Sequence, residues 1–170
     1  MNQESDNLFA REHRELDRLL REHLLQLVGG DFPTAQLAFD RWWAALAGHI
    51  RVEETQLFPR IPQSARWSSR LYELEHQRIQ SLAHEYAQLL RAVVIHPPRD
   101  DPARRAAVLA LLDRAHPLRH VLEHHNQREE TALADELPED LQARAWERSA
   151  RGRERRKRSA AQQPAPSRDS

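Results

Sequence analysis

The chain contains no cysteine among its 170 residues. Disulfides, thiolate zinc sites and iron–sulfur clusters are therefore excluded, and any bound metal must be held by nitrogen and oxygen atoms. Glycine is also scarce, at 4 residues, and most of the 10 prolines lie at expected helix starts, between helices or near the carboxyl end. This composition is typical of an all-helical protein.

The chain also lacks net charge and long apolar runs. Its 26 basic and 26 acidic residues balance, so no overall field favours nucleic acid or an anionic membrane. The first thirty residues hold no apolar run of signal-peptide length, and no later segment approaches the ~20 apolar residues of a transmembrane helix. We therefore expect a cytoplasmic protein with no membrane partner and one domain with its own core.

What the chain does have is ten histidines and a repeated motif. The pattern H-x3-E-E-T-x-L occurs at residues 49–57 and again at residues 125–133. Residues four apart share one face of a helix, so each copy pairs one imidazole with one carboxylate. A single pair of this kind is usually a solvated surface ion pair. Both copies continue apolar stripes, however, which favours buried side chains, and a buried carboxylate is costly unless paired or metal-bound.

Apolar residues that recur at spacings of three and four residues predict four long helices, over about residues 7–28, 33–57, 69–94 and 101–137. Asp6 and Asp101 are the expected N-caps of the first and last, and Pro117 should kink or break the last. Short connections favour an all-α, up-down-up-down four-helix bundle.

The bundle is expected over residues 1–138, followed by a short helical extension over residues 139–150. Residues 151–170 are basic and poor in apolar side chains, which predicts a disordered tail. The balanced charge of the rest of the chain argues against nucleic acid as a partner. Only the basic tail offers a weak possibility of such contact. The oligomeric state is left open.

Each predicted helix carries a histidine on its apolar stripe. In a bundle these positions meet at one level, together with the two motif carboxylates. The predicted metal ligands are His13, His49, Glu53, His76, His125 and Glu129. His23 lies near the stripe of His13 and is a competitor, whereas His84 is out of phase. His124 is one residue, about a hundred degrees, from His125, so both cannot point into the same site.

Four imidazoles and two carboxylates are too many for one structural zinc ion, which takes four ligands. Two carboxylates able to bridge, flanked by imidazoles, fit two transition-metal ions. Nitrogen and oxygen donors without sulfur favour iron or manganese and do not choose between them. Six protein ligands leave open coordination positions, which indicates ligand binding or chemistry rather than a structural role.

As a set, these motifs resemble the hemerythrin-like, or HHE cation-binding, domain over roughly residues 6–138. The resemblance rests on His13 followed by Leu16, the first H-x3-E followed by Leu57-Phe58-Pro59, the pair Glu75-His76, and the second H-x3-E. It implies a non-haem di-iron centre in a four-helix bundle. Glu53 and Glu129 would bridge the irons, and the four inward histidines would be terminal ligands.

The chain departs from the oxygen-carrying hemerythrins at two positions. They have a second histidine one turn after the helix-three histidine, where this chain has Gln80, and an aspartate where it has Glu129. The resemblance therefore implies a more open centre, with one nitrogen fewer on one iron. This favours sensing of iron or redox state, or reaction with oxygen, peroxide or nitric oxide, over reversible oxygen carriage.

The leading hypothesis is thus a di-iron protein that binds or senses a small oxidant, a diatomic molecule or iron itself. A second is a di-iron enzyme that reduces peroxide or nitric oxide, or an iron donor in cluster repair. It ranks lower because the chain has no redox cysteine and no evident substrate pocket. A third is a metal-free helical interaction module, which requires Glu53 and Glu129 to be exposed.

Overall fold

The computed structural model describes residues 7–148 and residue 150, so the expected basic tail lies outside the described residues. Four long helices dominate this part: α1 (Leu8–Val28), α2 (Phe32–Val52), α3 (Ser69–Ile95) and α4 (Asp101–Arg128). Contacts join α1 to α2, α2 to α3, α3 to α4 and α4 back to α1. The predicted all-α helical bundle is confirmed, and the described residues contain no strand.

The capping residues of α1 and α4 each lie one position away from the residues predicted from the sequence. Asn7 caps α1 and Asp100 caps α4, each accepting the backbone N–H three residues later. The prediction of Asp101 as an N-cap is therefore wrong. Asp6, the cap predicted for α1, lies outside the described residues, and Asn7 holds the cap position. Asp101 is already the first helical residue, and its N-terminal neighbour has the extended backbone that a cap requires.

Pro117 does not break α4, which is helical from Asp101 to Arg128. Of the two outcomes predicted at Pro117, a kink or a break, the break is therefore wrong. Proline removes one backbone donor, which leaves the carbonyl four residues earlier without its helical partner. Both Pro117 and Asp113 are exposed, so water can bond to that carbonyl and the helix continues.

Both copies of the repeated motif leave the α-helical path at their first glutamate. Residues Glu53–Leu57 and Glu129–Leu133 form π-helical turns where regular helix was predicted. In each copy the threonine hydroxyl donates to the carbonyl four residues earlier, Thr55 to Arg51 at 2.6 Å and Thr131 to Gln127 at 2.7 Å. Such bonds bend helices, and π turns occur often at functional sites. The motif therefore encodes a backbone shape as well as side chains.

After the second π turn the chain forms a short helix, α5 (Ala134–Glu136), and then α6 over residues 139–148. The amide of Gln142 donates to the carbonyls of Ala134 and Leu137, at 2.9 and 2.8 Å, which ties α6 to α5. None of the described helices is long and apolar enough to cross a membrane.

The apolar core consists of two clusters. The larger includes Leu16, Leu46, Ile79 and Leu122. The smaller cluster lies at the other end of the bundle, and its buried members are Phe9, Val52, Leu57, Phe58, Tyr72, Leu133, Leu137, Ala145 and Trp146. Along every long helix the inward histidine falls between residues of the two clusters, so a polar layer is enclosed by apolar side chains on both sides.

Candidate metal centre

The six predicted ligand residues meet in this polar layer, and all six are buried. They form two overlapping groups. The first contains His13, His49, Glu53 and Glu129, and the second contains Glu53, His76, His125 and Glu129. Within each group the candidate ligand atoms all lie within 4.8 Å of one another. Both glutamates belong to both groups, which is the placement a bridging carboxylate needs.

Each glutamate directs one oxygen to a histidine of each group. For Glu53, Oε1 lies 2.8 Å from Nε2 of His49, and Oε2 lies 3.2 Å from Nε2 of His76. For Glu129, Oε2 lies 3.2 Å from Nε2 of His13, and Oε1 lies 3.4 Å from Nε2 of His125. The two carboxylates therefore span the two groups with separate oxygen atoms.

Most polar atoms at the centre approach one another closely but make no hydrogen bond within the described residues. These atoms are the four oxygens of Glu53 and Glu129 and Nε2 of His13 and His49, and all of them are buried. Leaving one buried polar group unsatisfied costs about 1–3 kcal/mol, and more when it is charged. The facing Nε2 atoms of His76 and His125 lie 3.2 Å apart. Cations held by these nitrogens and oxygens would satisfy them together, so the residues fit a metal centre.

The charges of the layer suit cation binding. Burial raises the pKa of Glu53, but the nearby imidazoles of His49 and His76 outweigh this effect and hold that pKa well below the usual range. Burial lowers the pKa of His13, but Glu129 and Glu130 together raise it to about 10. These directions favour a charged carboxylate on Glu53 and a proton on His13, which a bound metal ion would displace.

Three of the four imidazoles are oriented by a further carboxylate. Nδ1 of His13 donates to Glu130 at 2.7 Å and Nδ1 of His76 donates to Glu54 at 3.0 Å. Glu54 and Glu130 are the second glutamates of the two motif copies, and each reaches a histidine on a different helix. Partners of this kind fix the ring orientation and the tautomer of a metal-ligating histidine.

The third such pair joins His125 to Glu75, with Nδ1 and Oε2 3.0 Å apart, and Arg128 bonds the same carboxylate. The sequence analysis missed Glu54, Glu75 and Glu130 as functional residues. The available signal was the doubled glutamate shared by both motif copies, together with the glutamate directly before His76.

The competing residues do not reach the centre. His23 is buried, but its Nδ1 donates to the carbonyl of Ala35 at 2.7 Å and its Nε2 accepts from the hydroxyl of Tyr86 at 2.6 Å. Gln80, His84 and His124 are exposed. The metal-free alternative required Glu53 and Glu129 to be exposed, and that expectation is wrong because both are 0% exposed.

A polar cleft of about 760 Å³ runs between α1 and α4 beside the layer. Its lining includes Asp17, Arg21, Arg119 and Glu123, and it reaches Glu130, the partner of His13. A pocket next to the site was not expected from the sequence, because its walls come from two helices that are distant along the chain.

Comparison with known proteins gave one match. A family model described as the Hemerythrin HHE cation binding domain matches residues 5–137, which include all six residues of the layer and end before α6. A search of the curated proteins and a search of the solved structures each found no similar protein.

Proposed function

Because the chain belongs to the hemerythrin HHE cation-binding domain family, we propose that its polar layer binds two iron ions. We propose further that the protein binds or senses oxygen, another small oxidant or diatomic molecule such as peroxide or nitric oxide, or iron itself. The observation that carries this proposal is the placement of the two glutamates. Each offers one oxygen to each pair of histidines, as two ions bridged by carboxylates would require.

In this proposal His13 and His49 would hold one ion, His76 and His125 would hold the other, and Glu53 and Glu129 belong to both groups. The protein would supply only imidazole and carboxylate donors, and a small ligand would complete the binding of the ions. Imidazole and carboxylate donors also suit manganese, so both metals belong in the measurement.

The surrounding residues would perform three tasks. Glu54, Glu75 and Glu130 hold imidazoles in the orientation that directs Nε2 to the centre. The two apolar clusters exclude bulk water from both sides of the layer. Protonated imidazoles of the layer, His13 among them, would release their protons as metal binds. Bound ferrous iron would supply electrons to a small oxidant.

One observation favours a second candidate function, a di-iron enzyme that reduces peroxide or nitric oxide. The cleft between α1 and α4 reaches Glu130, which contacts a proposed ligand directly. A polar route of this kind suits repeated entry of substrate and exit of product. Multiple turnovers with an external electron donor would distinguish the enzyme from a binding or sensing protein.

The test is the iron and manganese content of protein purified without chelator, followed by absorption spectra in air and after anaerobic reduction. We expect two irons per chain, one for each group of ligands, and charge-transfer absorption that disappears on reduction. The His84→Ala variant is the control, because this exposed histidine lies outside the layer. Absence of stoichiometric metal after anaerobic reconstitution with ferrous iron would contradict the proposal.

A further inference from the structure

The four imidazoles of the layer are not held in the same way. His13, His76 and His125 each bond a carboxylate through Nδ1. In the sequence repeat His49 corresponds to His125, yet Nδ1 of His49 is buried and has no hydrogen-bond partner in the described part of the chain. The orientation of His49 must therefore depend on a different contact.

One such contact is with Trp146 of α6, in addition to the contacts of His49 with the ring of His13 and with Glu53. The rings of His49 and Trp146 are stacked, with centroids 4.9 Å apart and planes 17° from parallel. Trp146 is 5% exposed and also makes a T-shaped contact with Phe9, with ring centroids 5.9 Å apart. The indole Nε1 is also buried and has no hydrogen-bond partner among the residues that the structure describes, although a buried tryptophan usually bonds through this atom. The position of the indole is thus set by ring packing and not by a hydrogen bond.

Helix α6 is anchored independently of this stack. Gln142 bonds the carbonyls of Ala134 and Leu137, and Ala145 is buried in the smaller apolar cluster. These anchors do not involve His49. Removing the indole should therefore disturb the imidazole without detaching the helix.

The second group of ligands has more support. His125 bonds Glu75 and meets the edge of Tyr72, while His76 bonds Glu54 and stacks on Phe58 at 5.3 Å. Each of these imidazoles has a carboxylate and an aromatic neighbour. His49 has no carboxylate at Nδ1 within the described residues, and the aromatic ring that stacks on it lies beyond residue 137, where the family match ends.

We propose that Trp146 is a positioning residue for His49, and that α6 covers the His13–His49 group so that its stack controls how fast this group releases a metal ion. The inference rests on the proposed metal centre and adds to it a segment outside the family match. Contacts that orient a metal-ligating histidine typically change metal affinity by about 10–100-fold when they are removed.

The test is the rate of metal release into excess chelator from protein loaded anaerobically with cobalt(II), followed by cobalt absorption. Trp146→Leu keeps an apolar side chain but removes the flat ring, and Trp146→Phe keeps a ring. We expect Trp146→Leu to release one of its two ions about tenfold faster than the unmodified protein, with the second ion unchanged. Trp146→Phe should restore most of the slow release.

Tryptophan fluorescence supplies a readout that is independent of release. Cobalt(II) binding should quench Trp146, which stacks on a ligand, so Trp146→Phe should lose the larger part of the metal-dependent quenching. Trp43→Phe is the matched control, because Trp43 packs against the larger apolar cluster and should leave the quenching intact. Leu141→Ala, which weakens the packing of α6 without removing the stack, controls for general loosening of the helix.

The inference is overturned if folded Trp146→Leu releases both ions at the unmodified rate, if Trp146→Phe releases metal as fast as Trp146→Leu, or if Leu141→Ala has the same effect. Any of these results would leave the metal centre itself standing. Failure of the unmodified protein to bind cobalt(II) or iron(II) would instead overturn the proposed function and this inference with it.

Discussion

His13 and His23 lie on the same helix, both are buried, and they have opposite surroundings. Both ring nitrogens of His23 bond protein atoms, the carbonyl of Ala35 and the hydroxyl of Tyr86. His13 bonds Glu130 through Nδ1, while its Nε2 points into a layer of unpartnered polar atoms. Burial alone therefore does not mark a metal ligand. What distinguishes His13 is a buried nitrogen that makes no hydrogen bond within the described residues and lies beside other such atoms.

Glu53→Ala should have the largest effect on the layer that His13 joins and His23 does not, because Glu53 belongs to both ligand groups. We expect loss of metal binding and lower thermal stability, since His49 and His76 lose their buried counter-ion. Elemental analysis and thermal unfolding measure the two effects. His125→Ala should likewise remove metal, and His124→Ala, one residue away but exposed, should not. Unchanged metal content in Glu53→Ala would contradict the bridging assignment.

Glu54→Gln and Glu130→Gln should have intermediate effects, because these residues orient imidazoles and are not themselves proposed as ligands. We expect each variant to weaken metal binding by about 10–100-fold without abolishing it. Competition with a chelator of known affinity measures the change. The repeat predicts similar losses in the two variants, and Asp135→Asn, on the short helix α5, serves as the charge control. Normal affinity in both would show that these hydrogen bonds do not support the centre.

His23→Gln should leave the metal content unchanged and affect stability alone. Burial lowers the pKa of His23 below its ordinary value of 6.5. The hydrogen bond to the carbonyl of Ala35 raises this pKa, but its effect is smaller. The stabilising contribution of neutral His23 is therefore fully present above about pH 6.5 and is lost as the pH falls through the lower, folded-state pKa.

Urea unfolding at pH 7 and pH 5 tests this expectation. His23→Gln should lose about 1–3 kcal/mol of unfolding free energy at pH 7, because Tyr86 or Ala35 is left unsatisfied, and should lose less further stability on acidification than the unmodified protein. If this variant also loses metal, the assignment of His13 to the metal site and of His23 to the apolar core is wrong.

Much of the architecture follows from local patterns. Apolar residues three and four apart identify the four long helices and place His13, His49, His76 and His125 on their inward faces. The same periodicity separates His125 from His124, because adjacent residues differ by about a hundred degrees around a helix. The π turns were missed because their hydrogen-bond shift is specified by details of the motif, such as Thr55 and Thr131, that hydrophobic periodicity does not report.

The sequence by itself determined the bundle, the absence of sulfur ligands and the six polar side chains on buried faces, because helix phase depends only on neighbours within a turn or two. The tertiary structure alone decided that Glu54 faces His76, that Glu130 faces His13 and that Trp146 covers His49. These pairs join residues that are distant along the chain, and their contact depends on how far each helix is shifted along its neighbour, which periodicity within one helix cannot encode.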